Sequence, residues 1–77
     1  MYRQGDLLIT KVDKIKGRLQ KDRILALGEA TGHAHQLDGG KVYRSNGEKY
    51  VELLEAQKLL HEEHGAIDLP KGNYKVT

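Results

Sequence analysis

Short apolar alternations punctuated by glycine run along the whole chain. Asp6 to Val12, DLLITKV, follows Gly5 and is rich in residues that suit a pleated backbone, which predicts a strand. Arg23 to Gly28, RILALG, restarts the pattern, and Gly32 then interrupts it, predicting a bend or bulge ahead of AHQL at Ala34 to Leu37. Asp38-Gly39-Gly40 and Asn46-Gly47 carry the residue types of tight hairpin turns, whose geometry needs positive φ. Together they predict a meander in which AHQL pairs with KVYR and KVYR pairs with KYVELL. Pro70 to Gly72 predicts a further turn between a short strand in AIDL and a last strand in NYKV, with proline fixing φ early and glycine supplying positive φ late.

Two stretches break this rhythm. KVDKIKGRLQKDR, Lys11 to Arg23, has charge without an apolar stripe and reads as a solvated loop or hairpin excursion around Gly17. VELLEAQKLLHEEH fits a short helix by its leucine spacing and its good helix formers. It also fits a strand, a turn at Glu55 to Gln57 and a second short strand, and the Asn46-Gly47 turn favours that reading by making Lys49 to Leu54 a hairpin arm. The expected fold is all-β, a small antiparallel β-barrel or sandwich over residues 1–77 as one domain, with at most one short helix or helical turn near 55–64.

Composition sharpens the picture at three points. A chain of 77 residues builds only one small core, and such cores rarely supply more than about 3–5 kcal/mol, so a bound ion or a second subunit is a natural staple. Cysteine is absent, which excludes disulfides, thiolate ligands and thiol nucleophiles. The apolar run in MYRQGDLLITKV is too short for a signal-peptide core or a spanning helix, so a cytoplasmic protein with no membrane contact is expected.

The formal charge of +2 hides a polarity. Lys11 to Arg23 holds six basic and two acidic residues, whereas Glu48 to Asp68 holds six acidic and two basic. The basic segment, with Lys14, Lys16, Arg18, Lys21 and Arg23, is the candidate nucleic-acid interface, acting by phosphate attraction. The tyrosines would be its stacking partners. However, Tyr2, Tyr43, Tyr50 and Tyr74 are the only aromatics in the chain and are needed for its core. No phosphate-binding glycine loop occurs, and Ser45, the only serine, sits in a turn.

The chemistry lies in the histidines. All four fall in two tight pairs, His33 with His35 and His61 with His64. On an extended chain, side chains two apart share a face, so His33 and His35 present both imidazoles to one spot while Ala34 faces away. Three-residue spacing brings His61 and His64 together on a turn, which Gly65 favours. Either pair alone is ordinary on a solvated turn. Their complete pairing in a small cysteine-free domain points to a divalent metal ion held by His33, His35, His61 and His64, with Glu62 or Glu63 as a further ligand or general base. Zinc, iron or nickel suits imidazole, and added carboxylate shifts preference toward manganese. Four imidazoles would close a structural site, and fewer would leave a position for water and hydrolysis. A metal-free alternative uses one imidazole as base and another as acid in phosphodiester cleavage.

GEATGHAH, Gly28 to His35, resembles the first half of the cupin signature, in which a glycine precedes a His-x-His pair on a strand. DLPKGNY resembles the proline-glycine turn of its second half. The resemblance implies imidazole-held metal in a β-barrel. This chain departs from the signature in placing four residues between Gly28 and His33 and in placing His64 before the turn. Over nearly its whole length the chain is similar to a group of small bacterial and phage proteins that carry RQGD, TGHAH and HEEHG followed by LPKGNY. That similarity implies a shared histidine pattern rather than a particular reaction, and some members are expected to run on past Thr77. A strand-rich domain with so small a core is also expected to form a homodimer.

Overall fold

A computed structural model describes residues 1–27 and 34–77, with the side chain of Leu27 left aside. Among the described residues there are ten strands and no helix. They are β1 (Tyr2–Gln4), β2 (Leu7–Lys11), β3 (Arg18–Leu19), β4 (Ile24–Leu27), β5 (Ala34–Leu37), β6 (Lys41–Ser45), β7 (Glu48–Leu53), β8 (Gln57–Leu60), β9 (Ile67–Leu69) and β10 (Gly72–Val76). Six form one sheet in the order β1-β2-β10-β7-β6-β3, and four form another in the order β4-β5-β8-β9. The neighbours pair antiparallel. The result is an open sandwich, all-β as the alternation predicts, and not a closed barrel.

One core lies between the sheets. Leu7, Ile9, Val42, Val51, Leu53, Tyr74 and Val76 from the larger sheet meet Leu25, Leu37, Leu59 and Leu69 from the smaller. Along β2 and β7 these residues alternate with outward ones, as a half-buried strand requires. Tyr74 is fully buried, and its hydroxyl is satisfied by donating to the Pro70 carbonyl at 2.6 Å. An aromatic with a polar tip is thereby accommodated without an unpaired group. The expectation that the tyrosines serve the core holds for Tyr74, while Tyr50 is buried outside the core cluster.

The Asn46-Gly47 turn forms as expected, with φ of 49° and 81°, and joins β6 to β7 in register from Ser45–Glu48 to Lys41–Glu52. The Asp38 to Gly40 turn does not make a hairpin. β5 pairs with β4 and β8, so AHQL and KVYR lie in different sheets and the three-stranded meander is not formed. Asp38 instead exchanges bonds with β8, its N–H donating to the Lys58 carbonyl and its carboxylate accepting the Lys58 N–H. Gly40, at φ 94°, then turns the chain against Leu53, where a Cβ would collide with the leucine side chain.

The helical alternative for VELLEAQKLLHEEH is also overturned, because Val51, Leu53 and Leu59 are drawn onto two opposed sheet faces rather than onto one helical stripe. The bulge found near the histidines lies on β4, between Ile24 and Ala26. The bend predicted at Gly32 lies outside the described residues.

Candidate functional site

The register of the smaller sheet assembles the site. Leu37 faces Leu59 and Gln36 faces Leu60 across β5 and β8, so the next pair outward along the strands is His35 opposite His61. His35 shares a strand face with Leu37 and His61 shares one with Leu59, and both leucines are core residues. The two imidazoles therefore prolong the core face toward solvent. Their ring centres lie 4.4 Å apart. The chain bends immediately after His61 and returns His64, whose ring centre is 4.6 Å from that of His61. It is 6.1 Å from that of His35, with planes within 12° of parallel. The three rings form a nearly right-angled triangle with His61 at the corner.

Behind the triangle stands Gln4, a polar side chain only 3% exposed. Its amide nitrogen donates to the carbonyls of Leu59 and Gly65, both at 2.9 Å, which uses both hydrogens and fixes the orientation of the amide. Its oxygen can then only accept. It lies 2.8 Å from His35 Nδ1, so that nitrogen carries a proton and donates it, and the neutral ring keeps a lone pair on Nε2. His61 is held the other way round. Its Nδ1 accepts the backbone N–H groups of Glu63 at 3.0 Å and His64 at 3.1 Å, which puts the proton of its neutral ring on Nε2.

Burial, and then the neighbouring charges of His61 and His64, hold the His35 imidazole below its ordinary pKa, against a smaller upward pull from Asp6 and Glu62. Packing constrains His64 as well. Gly5 sits at φ 57° with its open side against the His64 ring, and a Cβ there would fall 2.5 Å from Nε2.

The structure thus brings together His35, His61 and His64, while His33 and Thr31 lie outside the described residues. Glu62 reaches the site, but its carboxylate accepts the Ala34 N–H at 2.9 Å, tying the turn after β8 to the start of β5. Glu63 enters through its backbone on His61. Among the described residues, no group of three or more His, Cys, Asp or Glu side chains is poised to hold a metal ion. The His61 ring shows a physical reason, since it turns Nδ1 to the backbone and keeps its proton on Nε2. A shallow surface pocket of about 300 Å³, lined by Ala34, Gln36, Leu60, His61 and Glu62, borders the cluster.

Lys14 and Lys16 lie in the loop between β2 and β3, Arg18 on β3, and Lys21 and Arg23 between β3 and β4, all exposed. Gln4 and Gly5 are site residues with no titratable group to mark them in the sequence. Their signal is the RQGD segment itself, which packs against both histidine motifs.

Fold and cluster together define a small β-sandwich domain with an imidazole centre at one end of its core. The chain belongs to the family described as Domain of unknown function (DUF8820), whose family model matches residues 3–77. No curated protein and no solved structure matches the chain. Among the described residues, no helix is long and apolar enough to cross a membrane.

Proposed function

We propose that this domain binds a divalent transition-metal ion through His35, His61 and His64, with His33 as the fourth imidazole, and that the centre serves hydrolysis. The observation that supports it is the convergence of three imidazoles from two remote segments, one of them, His35, held by a buried amide that keeps its Nε2 lone pair available. Holding a ligand ring by its other nitrogen is the usual support of a metal-binding histidine. Imidazoles around one tetrahedral ion, with bonds of about 2 Å, have ring centres roughly 5 Å apart, and the observed separations of 4.4, 4.6 and 6.1 Å bracket that spacing. Ligation by His61 through Nε2 requires its ring to turn over and release the two backbone N–H groups. The donor set suits zinc, iron or nickel, and participation of Glu62 or Glu63 would extend it to manganese. When bound with an open position, such an ion acts as a Lewis acid, and Glu62 or Glu63 would then serve as base.

Elemental analysis of untagged protein tests this reading, with about one equivalent of metal expected and a loss of that metal in His35→Asn. Protein that carries no metal and shows no change in melting temperature when zinc is added overturns it.

A second reading takes His35, whose neutral ring keeps its Nε2 lone pair, as the base, and a neighbouring imidazole in its cationic form as the acid, for metal-free phosphodiester cleavage. Activity that survives chelation selects it. The sheets end at β1, β3, β4 and β9, and these edges favour self-association as a homodimer. Sedimentation at micromolar concentration showing a monomer would remove that part of the proposal.

A further inference from the structure

The register of the larger sheet places residues abreast on five strands besides β1. Tyr2 faces Ile9, Ile9 faces Val76, Val76 faces Lys49, Lys49 faces Arg44, and Arg44 faces Arg18. Directly opposed residues share a face, so this is one row on the core side of the sheet. Its first half is apolar and its second half is three cations. Arg44 and Arg18 are exposed although they stand on the core-facing side, which places them beyond the cover of the smaller sheet.

Opposed like charges destabilise a sheet, and this row has two such pairs in succession. Among the described residues no carboxylate compensates Arg18 or Arg44, since the ion pairs there join Lys58 to Asp68 and Lys75 to Glu48. Lys49 is turned inward, its ammonium donating to the Ile24 carbonyl at 2.8 Å, which neutralises none of its charge. Ile24 faces Gln36, the neighbour of His35, so Lys49 reaches across to the smaller sheet that carries that imidazole.

We propose that Arg18, Arg44 and Lys49 form a binding strip for phosphate groups, those of a polyphosphate or of a single nucleic-acid strand. Adjacent strands are about 4.8 Å apart, so the backbone positions of the three cationic residues lie within roughly 10 Å. Such a density needs a ligand that concentrates several negative charges in the same span. Arginine's planar fork grips a phosphate with two parallel bonds, and neighbouring strands set Arg18 directly opposite Arg44. The strip shares only Arg18 with the basic segment of the sequence, because Arg44 and Lys49 reach it through strand pairing.

The test uses chelator-containing buffer, so that its outcome does not depend on metal at the histidines. Wild type, Arg18→Gln/Arg44→Gln and the equal-charge control Lys41→Gln/Lys71→Gln are titrated with inorganic tripolyphosphate, a labelled short oligothymidylate and oligoglutamate at about 50 mM salt. The wild type is expected to bind a phosphate probe, the arginine double variant to lose about tenfold or more, and the control to match wild type. With the oligonucleotide, the slope of log affinity against log salt falls by about 1.4, two contacts at roughly 0.7 each. Binding of tripolyphosphate alone assigns the strip to free phosphates, and binding of the oligonucleotide assigns it to a strand. The arginine variant melts no lower than wild type, because it removes an opposed like-charge pair. Absence of binding to both phosphate probes, equal losses in the control, equally tight oligoglutamate binding, or a lower melting temperature of the arginine variant would each overturn the proposal.

Discussion

Gln4 donates with both of its amide hydrogens to carbonyls and receives the His35 Nδ1 proton on its oxygen, so one buried side chain 31 positions away sets which nitrogen of the imidazole is free. This makes Gln4 a positioning residue for the site rather than a surface amide.

Replacing Gln4 with leucine keeps the bulk and removes all three bonds. The Leu59 and Gly65 carbonyls and the His35 N–H lose their partner, at a cost of about 1–3 kcal/mol for a buried unsatisfied group. Urea unfolding of metal-free protein should show a loss in that range. Zinc affinity of the folded protein should fall about 10- to 100-fold, the usual consequence of losing the group that orients a ligand. A stability loss with unchanged zinc affinity would limit Gln4 to packing.

The lowered pKa of His35 gives the metal-free protein a signed pH dependence. A group that protonates less readily in the fold than in the unfolded chain binds more protons when unfolded, so stability rises with pH. The stability is present above the unfolded value of about 6.5 and is lost as pH falls through it toward the folded value. Melting temperatures measured between about pH 7 and about pH 5 should therefore drop, and the drop should be shallower in His35→Gln. An equal slope in the variant would show that other groups carry the acid sensitivity.

Gly5→Ala tests the packing of the other histidine. At φ 57° an L side chain is strained, and its Cβ meets the His64 ring. The expected loss is about 1–3 kcal/mol, the cost of a residue held in that region of backbone space, together with weaker zinc binding as His64 is displaced. Thermal melting and zinc titration give the two readouts. Gly65→Ala, where the Cβ position has nothing within 4 Å, serves as the comparison and should be nearly silent.

These residues also show what was readable from the sequence. The alternation around Ile9, Val51 and Leu53 marked strands, and the core faces those strands present follow the two-residue side-chain period. The same rule marked His35 as a site residue. Turn chemistry at Asn46-Gly47 and at Asp38 to Gly40 was equally legible, but it reports backbone conformation and not the sheet that the next strand enters. That choice rests on Asp38 bonding to Lys58 and on the close approach of Gly40 to Leu53, contacts between distant residues. Gln4 escaped for a related reason. A neutral amide has no spacing signature, and it acquires its role only when β1 closes beside β8 and the turn after it. The row of Arg18, Arg44 and Lys49 was invisible because register across three strands cannot be read from any one of them.

The tautomers of His35 and His61 offer the sharpest separation of the two functional readings. In metal-free protein, long-range proton–nitrogen correlation spectra should show His35 protonated on Nδ1 and His61 protonated on Nε2, as their partners Gln4 Oε1 and the two backbone N–H groups require. Zinc needs a lone pair on the nitrogen it takes, and a neutral ring can offer Nε2 only if its proton sits on Nδ1. His35 already meets this condition, so its pattern changes by coordination alone. His61 must exchange tautomer, turn its ring and release the N–H groups of Glu63 and His64, whose amide signals should then move more than those of Leu59 or Leu37. A titration in which zinc leaves the His61 pattern and these two amides untouched would remove His61 from the ligand set and count against the metal reading, leaving His35 with the lone pair that a base requires.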